Sequence, residues 1–297
     1  MFKPCVMSFL KHILLAILGL TISSFCAAET KQVGIIEMEG LTAVGGERKF
    51  CKECPVFVRV PQAPEGLRRI KYVAKYELTW TDYLKSVSQG KCTMPGNLTY
   101  SLEADPITIK QLDIRWTVVS LNIHQMRCYA DWVATHAGLK VDLPTNDEWE
   151  WFARAESVGK YPWGDDPDPE KAMVYETRSH SSFGFAYGFG STQKNWPEHS
   201  GGPVGLFPPN NFGLYDIIGH HAEITKDSFD AFQLFKDKLG VEMKSMRGRL
   251  AYPLYGGSHL DQIEKIGIKR TGGAIADFDG KLSTTAALRL VAYEDRR

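Results

Sequence analysis

The chain carries almost no excess charge of either sign. Its 297 residues include 35 basic and 35 acidic side chains. Proteins that bind nucleic acid or an anionic membrane surface normally carry a basic excess that attracts phosphate groups. The balanced composition argues against both functions, and we expect no nucleic-acid partner.

Long hydrophobic runs are absent beyond the N-terminus. There, Lys3 and Lys11 precede an apolar stretch over residues 13–22, and the small residues Cys26-Ala27-Ala28 follow it. This order is typical of a secretory signal peptide, and a membrane-spanning helix would need roughly 20 apolar residues. We predict a signal peptide over residues 1–28, a periplasmic or secreted protein, and no membrane span after cleavage.

Cysteine is scarce and does not occur after residue 128. Four cysteines follow the predicted signal peptide: Cys51, Cys54, Cys92 and Cys128. In an oxidising compartment an even number indicates disulfides. The C-x-x-C spacing also suits zinc or thiol exchange, but no second ligand pair completes a zinc site. A bridge from Cys51 or Cys54 to Cys92 would tie the N-terminal strand to the region after it, although the spacing leaves the pairing open.

Common catalytic motifs are missing as well. The chain contains no G-x-S-x-G elbow, P-loop, H-E-x-x-H helix or G-x-G-x-x-G fingerprint. The hydrolases, nucleotide-binding proteins and metalloproteases that these motifs identify are therefore not supported.

Local patterns predict strands in the first third of the chain and helices near its middle. We expect strands over residues 56–60 and 70–79, followed by a short helix around 81–84. A longer helix is expected from an N-cap at Ser120 to Gly138. Apolar residues recur there at helical spacing, namely Ile123, Met126, Ala130, Val133 and Ala137.

A second helix is predicted to begin at Thr145. Thr145 and Glu148 have the T-x-x-E spacing of a capping box, and Trp149, Phe152 and Ala153 then fall on one face. Residues 157–211 are rich in Gly, Pro, Ser and aromatics but have no clear periodicity. So long a stretch without regular structure is unusual in a compact domain.

Three spaced segments resolve this conflict. They are LPTNDEWEWFAR over residues 143–154, YPWG over 161–164 and PVGLFPPNNFGLYDIIG over 203–219. In this order they resemble the formylglycine-generating enzyme (sulfatase-modifying factor) family. The resemblance covers roughly residues 50–295 and implies an α+β fold with a C-type-lectin-like core, long packed loops and little regular secondary structure. We therefore expect a lead-in segment over residues 29–49 and one domain over 50–297.

The resemblance also exposes a missing feature. Sulfatase-activating members of the family use a cysteine pair near the C-terminus, between elements that match residues 266–270 and 287–292 here. Residues 271–287 contain no cysteine, so the thiolate ligation of Cu(I) on which that oxidation depends is excluded. We expect a branch of the family without formylglycine-generating activity.

A structural calcium site is the next implication. The family segment L-Y-D/N-x-x-G-N-x-x-E binds Ca²⁺ through two side chains and two backbone carbonyls, and Ca²⁺ prefers such oxygen ligands. Transferred to residues 214–223, the resemblance implies the side chains of Asp216 and Glu223 and the carbonyls of Gly219 and His221. Two solvated carboxylates on a turn are the alternative interpretation.

Histidines stand where relatives have other residues. Relatives have Gly-Asn-Val-Trp-Glu-Trp where residues 219–224 read GHHAEI, and Gly-Gly-Ser-Trp where residues 256–259 read GGSH. The two segments lie close together in the family fold, so His220, His221 and His259 are expected near one pocket, with Glu223 or Asp261 available. Imidazoles with a carboxylate hold Fe, Cu or Zn, or transfer protons.

The adjacent histidines carry a further expectation. Neighbouring residues on an extended chain point in opposite directions. We therefore do not expect His220 and His221 to bind one metal together, and a hydrogen-bonded structural role is the alternative for this group.

Two classes of function fit these observations. The first is an accessory or binding module in periplasmic maturation, which holds a small-molecule, peptide or protein ligand. The second is a periplasmic oxidoreductase or maturation enzyme of a cysteine-free branch, similar to the relatives that oxidise siderophore chromophores. Its candidate catalytic residues are His220, His259, Glu223 and Asp261. An enzyme should bring such groups together at the base of a cleft. The first class is favoured because no complete catalytic constellation can be assembled.

Overall fold

The computed structural model describes residues 45–67, 69–95, 116–119, 121–180 and 203–293. These residues belong to one unit of the chain, which comprises residues 38–297. The predicted signal peptide and most of the predicted lead-in segment lie outside the described residues. None of the described helices is long and apolar enough to cross a membrane.

One of the two sheets in the fold is a five-stranded antiparallel sheet. Its strands, in chain order, are β1 (Glu47–Arg48), β2 (Phe57–Arg59), β3 (Ile70–Ala74), β4 (Lys140–Asp142) and β9 (Val291–Tyr293). Their order across the sheet is β1-β2-β3-β9-β4, so the C-terminal strand lies between β3 and β4. The two predicted strands are present, and the second ends at Ala74, five residues earlier than expected.

A smaller sheet follows later in the chain. It consists of β5 (Glu223–Ile224), β6 (Phe229–Asp230), β7 (Leu250–Tyr255) and β8 (Arg270–Ala276). β5 and β6 pair with opposite ends of β7, while β8 pairs with β7 along its whole length. Because β5 contains Glu223, this sheet positions the segment in which the candidate site residues were predicted.

Among the described residues, five α-helices and four short 3₁₀ helices connect the strands. The α-helices are α1 (Trp80–Ser88), α2 (Ile123–Ala137), α3 (Asn146–Arg154), α4 (Tyr175–His180) and α5 (Ala231–Leu239). The 3₁₀ helices are Glu65–Leu67, Pro169–Lys171, Lys244–Met246 and Ile263–Lys265. The mixture of short strands, short helices and long connections confirms the predicted α+β class.

Helix α2 is the longest of these helices, and its predicted start is wrong. Asn122 is the N-cap: its side chain accepts a hydrogen bond from the Gln125 amide, and the Gln125 side chain accepts one from the Asn122 amide, which makes a capping box. The predicted cap, Ser120, lies outside the described residues. The helix ends at Gly138, which has φ +66°, and this end was predicted correctly.

The predicted capping box of α3 is confirmed. The Thr145 hydroxyl accepts from the Glu148 amide at 3.1 Å, and the Glu148 carboxylate accepts from the Thr145 amide at 2.8 Å. Trp149 and Phe152 are fully buried on the predicted face. Burying each such ring stabilises the fold by about 1.5–3 kcal/mol.

The disulfide pairing differs from the bridge to Cys92 that was considered. Cys51 bonds to Cys54, and Cys92 bonds to Cys128. The first pair closes within its own turn, where the Cys54 amide donates to the Cys51 carbonyl. The second pair ties the segment after α1 to helix α2.

Loss of the longer disulfide is expected to cost more stability than loss of the shorter one. The Cys92–Cys128 bridge spans 36 positions and the Cys51–Cys54 bridge spans 3. On the chain-entropy model, these loop lengths correspond to about 4 and about 2 kcal/mol respectively. Chemical unfolding of the Cys92→Ala/Cys128→Ala and Cys51→Ala/Cys54→Ala variants measures both costs. A larger loss of unfolding free energy in Cys51→Ala/Cys54→Ala than in Cys92→Ala/Cys128→Ala would contradict this prediction.

Candidate functional site

A buried carboxylate, Glu77, lies at the centre of the polar cluster. It follows β3 and precedes α1, and its neighbour Leu78 is held on both sides: the Leu78 amide donates to the Leu288 carbonyl, and the Val118 amide donates to the Leu78 carbonyl. Glu77 itself is 1% exposed. The flanking chains therefore fix this carboxylate inside the fold.

Three groups bind the Glu77 carboxylate. His220 Nδ1 lies 2.6 Å from Oε2, the Thr117 hydroxyl donates to Oε2 at 2.7 Å, and the His221 amide donates to Oε1 at 3.3 Å. Burial by itself raises the pKa of Glu77, but the charge and hydrogen bond of His220 outweigh it and hold that pKa well below its usual range. Glu77 is therefore a hydrogen-bond acceptor at neutral pH.

A left-handed turn places the two adjacent histidine rings together. Gly219 has φ +76° and His220 has φ +55°. The His220 and His221 Nδ1 atoms are 3.3 Å apart, and the ring centroids are 4.8 Å apart. The expectation that these rings point in opposite directions is wrong, because it assumed an extended chain.

Backbone bonds hold this turn in place. The His220 amide donates to the Met173 carbonyl at 2.7 Å, and the Gly219 amide donates to the Gly256 carbonyl at 3.2 Å. A left-handed residue other than glycine is uncommon and costs free energy, so it persists only where the surroundings enforce it. The turn is consequently a constrained feature of the site.

The structure brings His259 to the same place. Its amide and its Nδ1 both lie within hydrogen-bond distance of the His220 carbonyl, at 3.0 and 2.7 Å. Its ring centroid is 5.0 Å from that of His221. All three predicted histidines are buried and in contact.

Glu223 has a different role from the one predicted. Its carboxylate accepts from Arg289 Nη2 at 2.7 Å and Nε at 2.9 Å, and from Trp149 Nε1 at 2.7 Å. Burial raises the pKa of Glu223 and Arg289 opposes that shift, while the Glu223 charge raises the pKa of Arg289 despite burial. The short guanidinium bonds make this a buried ion pair.

The remaining predicted acids accept hydrogen bonds from groups outside the histidine cluster. Asp261 accepts from the Ser258 amide and hydroxyl, both at 2.8 Å. Asp216, which has φ +59°, accepts from the Gly205 amide at 2.7 Å. Burial raises the pKa of Asp216. Among the described hydrogen bonds, neither carboxylate joins the histidine cluster.

The predicted calcium ligands do not fit a calcium ion in this arrangement. The carboxylate of Glu223 already receives a guanidinium cation on both oxygens, and a second cation at the same oxygens would be repelled by it. Calcium binding by Asp216, Gly219, His221 and Glu223 stays a prediction that this geometry does not support.

Sequence reasoning missed Glu77 and Thr117 as members of the site. One signal was present: Glu77 lies in KYELT, residues 75–79, which is similar to the family's K-x-E-V-T element. No local pattern pointed to Thr117. The atoms of Glu77, His220 and His221 that could bind a metal all lie within 4.8 Å of one another, which is close enough for one ion.

A cavity of about 300 Å³ lies beside the cluster, and Glu77 forms part of its wall. Its other walls are largely apolar and aromatic, including Tyr76, Leu78, Tyr129 and Leu290. A smaller cavity of about 150 Å³ lies near Trp163, Phe207 and Asp216. The larger cavity is thus the one that connects with the polar cluster.

Comparison with known proteins places the chain in a family. Residues 31–282 match the sulfatase-modifying factor enzyme 1-like domain. The chain is 30% identical over 120 residues to inactive Cα-formylglycine-generating enzyme 2 of Bos taurus, covering 40% of this chain and 35% of that protein. It is 38% identical over 108 residues to the formylglycine-generating enzyme of Mycobacterium tuberculosis, covering 34% and 30% of the two chains.

The chain spans about a third of the length of these two relatives. The structure of PvdO from Pseudomonas aeruginosa is similar with a TM-score of 0.51 and 18% identity, covering 84% of this chain and 99% of that one. This likeness shows a shared fold. The protein belongs to the formylglycine-generating enzyme-like (sulfatase-modifying factor) family, in a branch that lacks the C-terminal cysteine pair.

Proposed function

We propose that this protein is an exported accessory or maturation factor without formylglycine-generating activity, which binds a small ligand in the cavity beside Glu77. The observation that carries the proposal is the Tyr129 hydroxyl. Tyr129 lines the cavity, and its buried hydroxyl has no hydrogen-bond partner among the described residues. Buried polar groups are normally paired, so an unpaired one at a cavity is a natural contact for a ligand.

The cavity walls define the chemistry of that ligand. A volume of about 300 Å³ with mostly apolar lining is at the small end of ligand-binding sites. Burial raises the pKa of Tyr129, so its hydroxyl stays protonated and can donate. Glu77 is an acceptor. The ligand that fits is a small aromatic or aliphatic molecule that carries a donor and an acceptor near each other.

Export is part of the proposal. It is supported by the predicted signal peptide over residues 1–28 and by the two disulfides, which persist in oxidising compartments. Periplasmic or secreted location is the corresponding prediction, and fractionation of cells that express the full chain tests it.

Filling the cavity is expected to abolish ligand binding. Val56 is half-buried at the cavity wall, so Val56→Trp should block the space. Catechol is a suitable probe because its ring carries an adjacent donor and acceptor. We expect calorimetry to detect catechol binding to the wild type, about tenfold weaker binding to Tyr129→Phe, and none to Val56→Trp. Val158→Trp, at a position 99% exposed, is the matched control.

The variants Val158→Trp and Tyr129→Phe show whether a loss of binding is specific to the cavity. Tyr129→Phe should not lower stability, because the hydroxyl that it removes has no partner among the described residues. Equal catechol affinity in the wild type and Val56→Trp would show that the cavity is not the binding site.

A second candidate function is a periplasmic oxidoreductase or maturation enzyme. The 2.6 Å contact between Glu77 and His220 favours it, because a carboxylate that orients an imidazole is a common arrangement in acid–base catalysis. Two of the four predicted catalytic residues, His220 and His259, are in contact. With O₂ as the two-electron acceptor, oxidation of catechol to the o-quinone with release of H₂O₂ should be lost in His220→Asn and retained in Val158→Trp.

A further inference from the structure

We propose that Glu77, His220 and His221 form a binding site for one divalent first-row transition metal ion, such as Zn²⁺ or Fe²⁺. Two imidazoles and one carboxylate are a donor set typical of these ions. The site differs from the predicted calcium segment in its ligands. It does not depend on the cavity ligand proposed above.

The ligand atoms have a spacing that suits a metal ion. Glu77 Oε2, His220 Nδ1 and His221 Nδ1 form a triangle with sides of 2.6, 3.3 and 3.7 Å. A point about 2 Å from all three corners exists within such a triangle, and this is the usual distance from Zn²⁺ to imidazole nitrogen or carboxylate oxygen. The chain therefore needs little rearrangement to bind the ion.

The left-handed turn explains how adjacent histidines can share one ion. With His220 at φ +55°, both Nδ1 atoms face the Glu77 carboxylate. In an extended segment the rings would lie on opposite sides. The left-handed backbone therefore places both imidazoles on the same side, next to one carboxylate.

Surrounding groups hold two of the three ligand residues, Glu77 and His220. The Thr117 hydroxyl donates to Glu77 Oε2 at 2.7 Å, and His259 Nδ1 lies 2.7 Å from the His220 carbonyl. Metal ligands in proteins are usually held by such outer partners, which fix their direction before the ion binds. Thr117 and His259 are thus positioning residues for this site.

The buried charges around the site are consistent with the proposal that the geometry carries. Glu77, Asp216 and Glu223 are buried carboxyl groups that act on one another, and Arg289 is the one guanidinium among the described residues that is fully buried with them. Buried charge is costly unless it is compensated. A bound dication would take over the compensation of the Glu77 charge that a protonated His220 otherwise supplies.

Metal analysis of the purified mature protein, without an affinity tag, tests the proposal. The protein is stripped with chelator and titrated with Zn²⁺ by calorimetry and with Co²⁺ by visible absorption. We expect one equivalent of either ion and a visible spectrum of low-coordinate Co²⁺. Binding should weaken by about 100-fold or more in Glu77→Gln and His220→Asn. His124→Ala, at an exposed position on α2, should bind as the wild type does.

X-ray absorption of the Zn²⁺-loaded wild type keeps the test valid even if the variants fail to fold. Imidazole scattering with a first shell of nitrogen and oxygen supports the site. Three results would overturn it: no binding of Zn²⁺ or Co²⁺ to the stripped wild type, equal affinity in folded Glu77→Gln and wild type, or a first shell without imidazole. Val56→Trp separates the two proposals, because it should lose catechol and keep the metal.

Discussion

Arg289→Met is expected to lower the free energy of unfolding by about 3–5 kcal/mol, the cost of leaving one partner of a buried ion pair without its counter-charge. Arg289 is 0% exposed and Glu223 is 1% exposed. Removing the guanidinium leaves the Glu223 carboxylate buried, with the Trp149 indole as its one remaining side-chain donor in the described part of the chain. The variant should remain folded only at low denaturant concentration.

The guanidinium does more than neutralise one acid. Its Nη1 donates to the carbonyls of Ala74 and Lys75, each at 3.0 Å, and its Nη2 donates to the Tyr215 carbonyl at 2.7 Å. These carbonyls belong to the end of β3 and to the segment that leads to the histidine turn. The side chain therefore joins the chain around Glu77 to the chain around His220.

Urea unfolding measures the loss, with Arg247→Met at an exposed position as control. The double variant Glu223→Gln/Arg289→Met should recover part of the loss, because it removes the uncompensated charge as well. A cost below about 1 kcal/mol for Arg289→Met, the range of exposed ion pairs, would mean that the pair is not buried in solution.

Gly219→Ala is expected to destabilise the protein by about 2–5 kcal/mol. Two effects add. An L-residue at φ +76° costs about 1–2 kcal/mol, and the added Cβ would overlap the Met173 carbonyl group and touch Val174. Overlap with backbone cannot be relieved by a rotamer change, and overpacking costs about 1–3 kcal/mol further.

Gly90→Ala separates the two effects. Gly90 has a similar φ of +67°, and a Cβ there would meet nothing within 4 Å. We expect Gly90→Ala to lower the free energy of unfolding only by the cost of the left-handed backbone, about 1–2 kcal/mol. Similar losses in the two variants would show that Met173 does not pack against the histidine turn as described. Metal titration of any folded Gly219→Ala protein would also report whether the turn sets the ligand positions.

Local rules predicted much of the regular structure. The Thr145 capping box, the buried face of α3 and the end of α2 at Gly138 were all predictable, because each depends on residues within about one helical turn. The start of α2 was misplaced, since both Ser120 and Asn122 are suitable caps. Gln125 decided between them by completing the box with Asn122.

The candidate site was only partly predictable. The replacement of family residues by His220, His221 and His259 pointed to the right region. Glu77 was missed because it lies 143 positions before His220, and no short pattern relates the two. Glu223 was assigned to metal binding or catalysis, yet its position beside Arg289, 66 residues further on, makes it a structural ion-pair partner.

The sequence by itself determined the family, the α+β class, the loss of the cysteine pair and the local helix caps, because these depend on residue identity and short-range spacing. Only the tertiary structure decided the disulfide pairing, the left-handed turn at His220 and the meeting of Glu77 with two histidines. Those features depend on which distant segments pack together, and the packing free energy of the whole fold sets them.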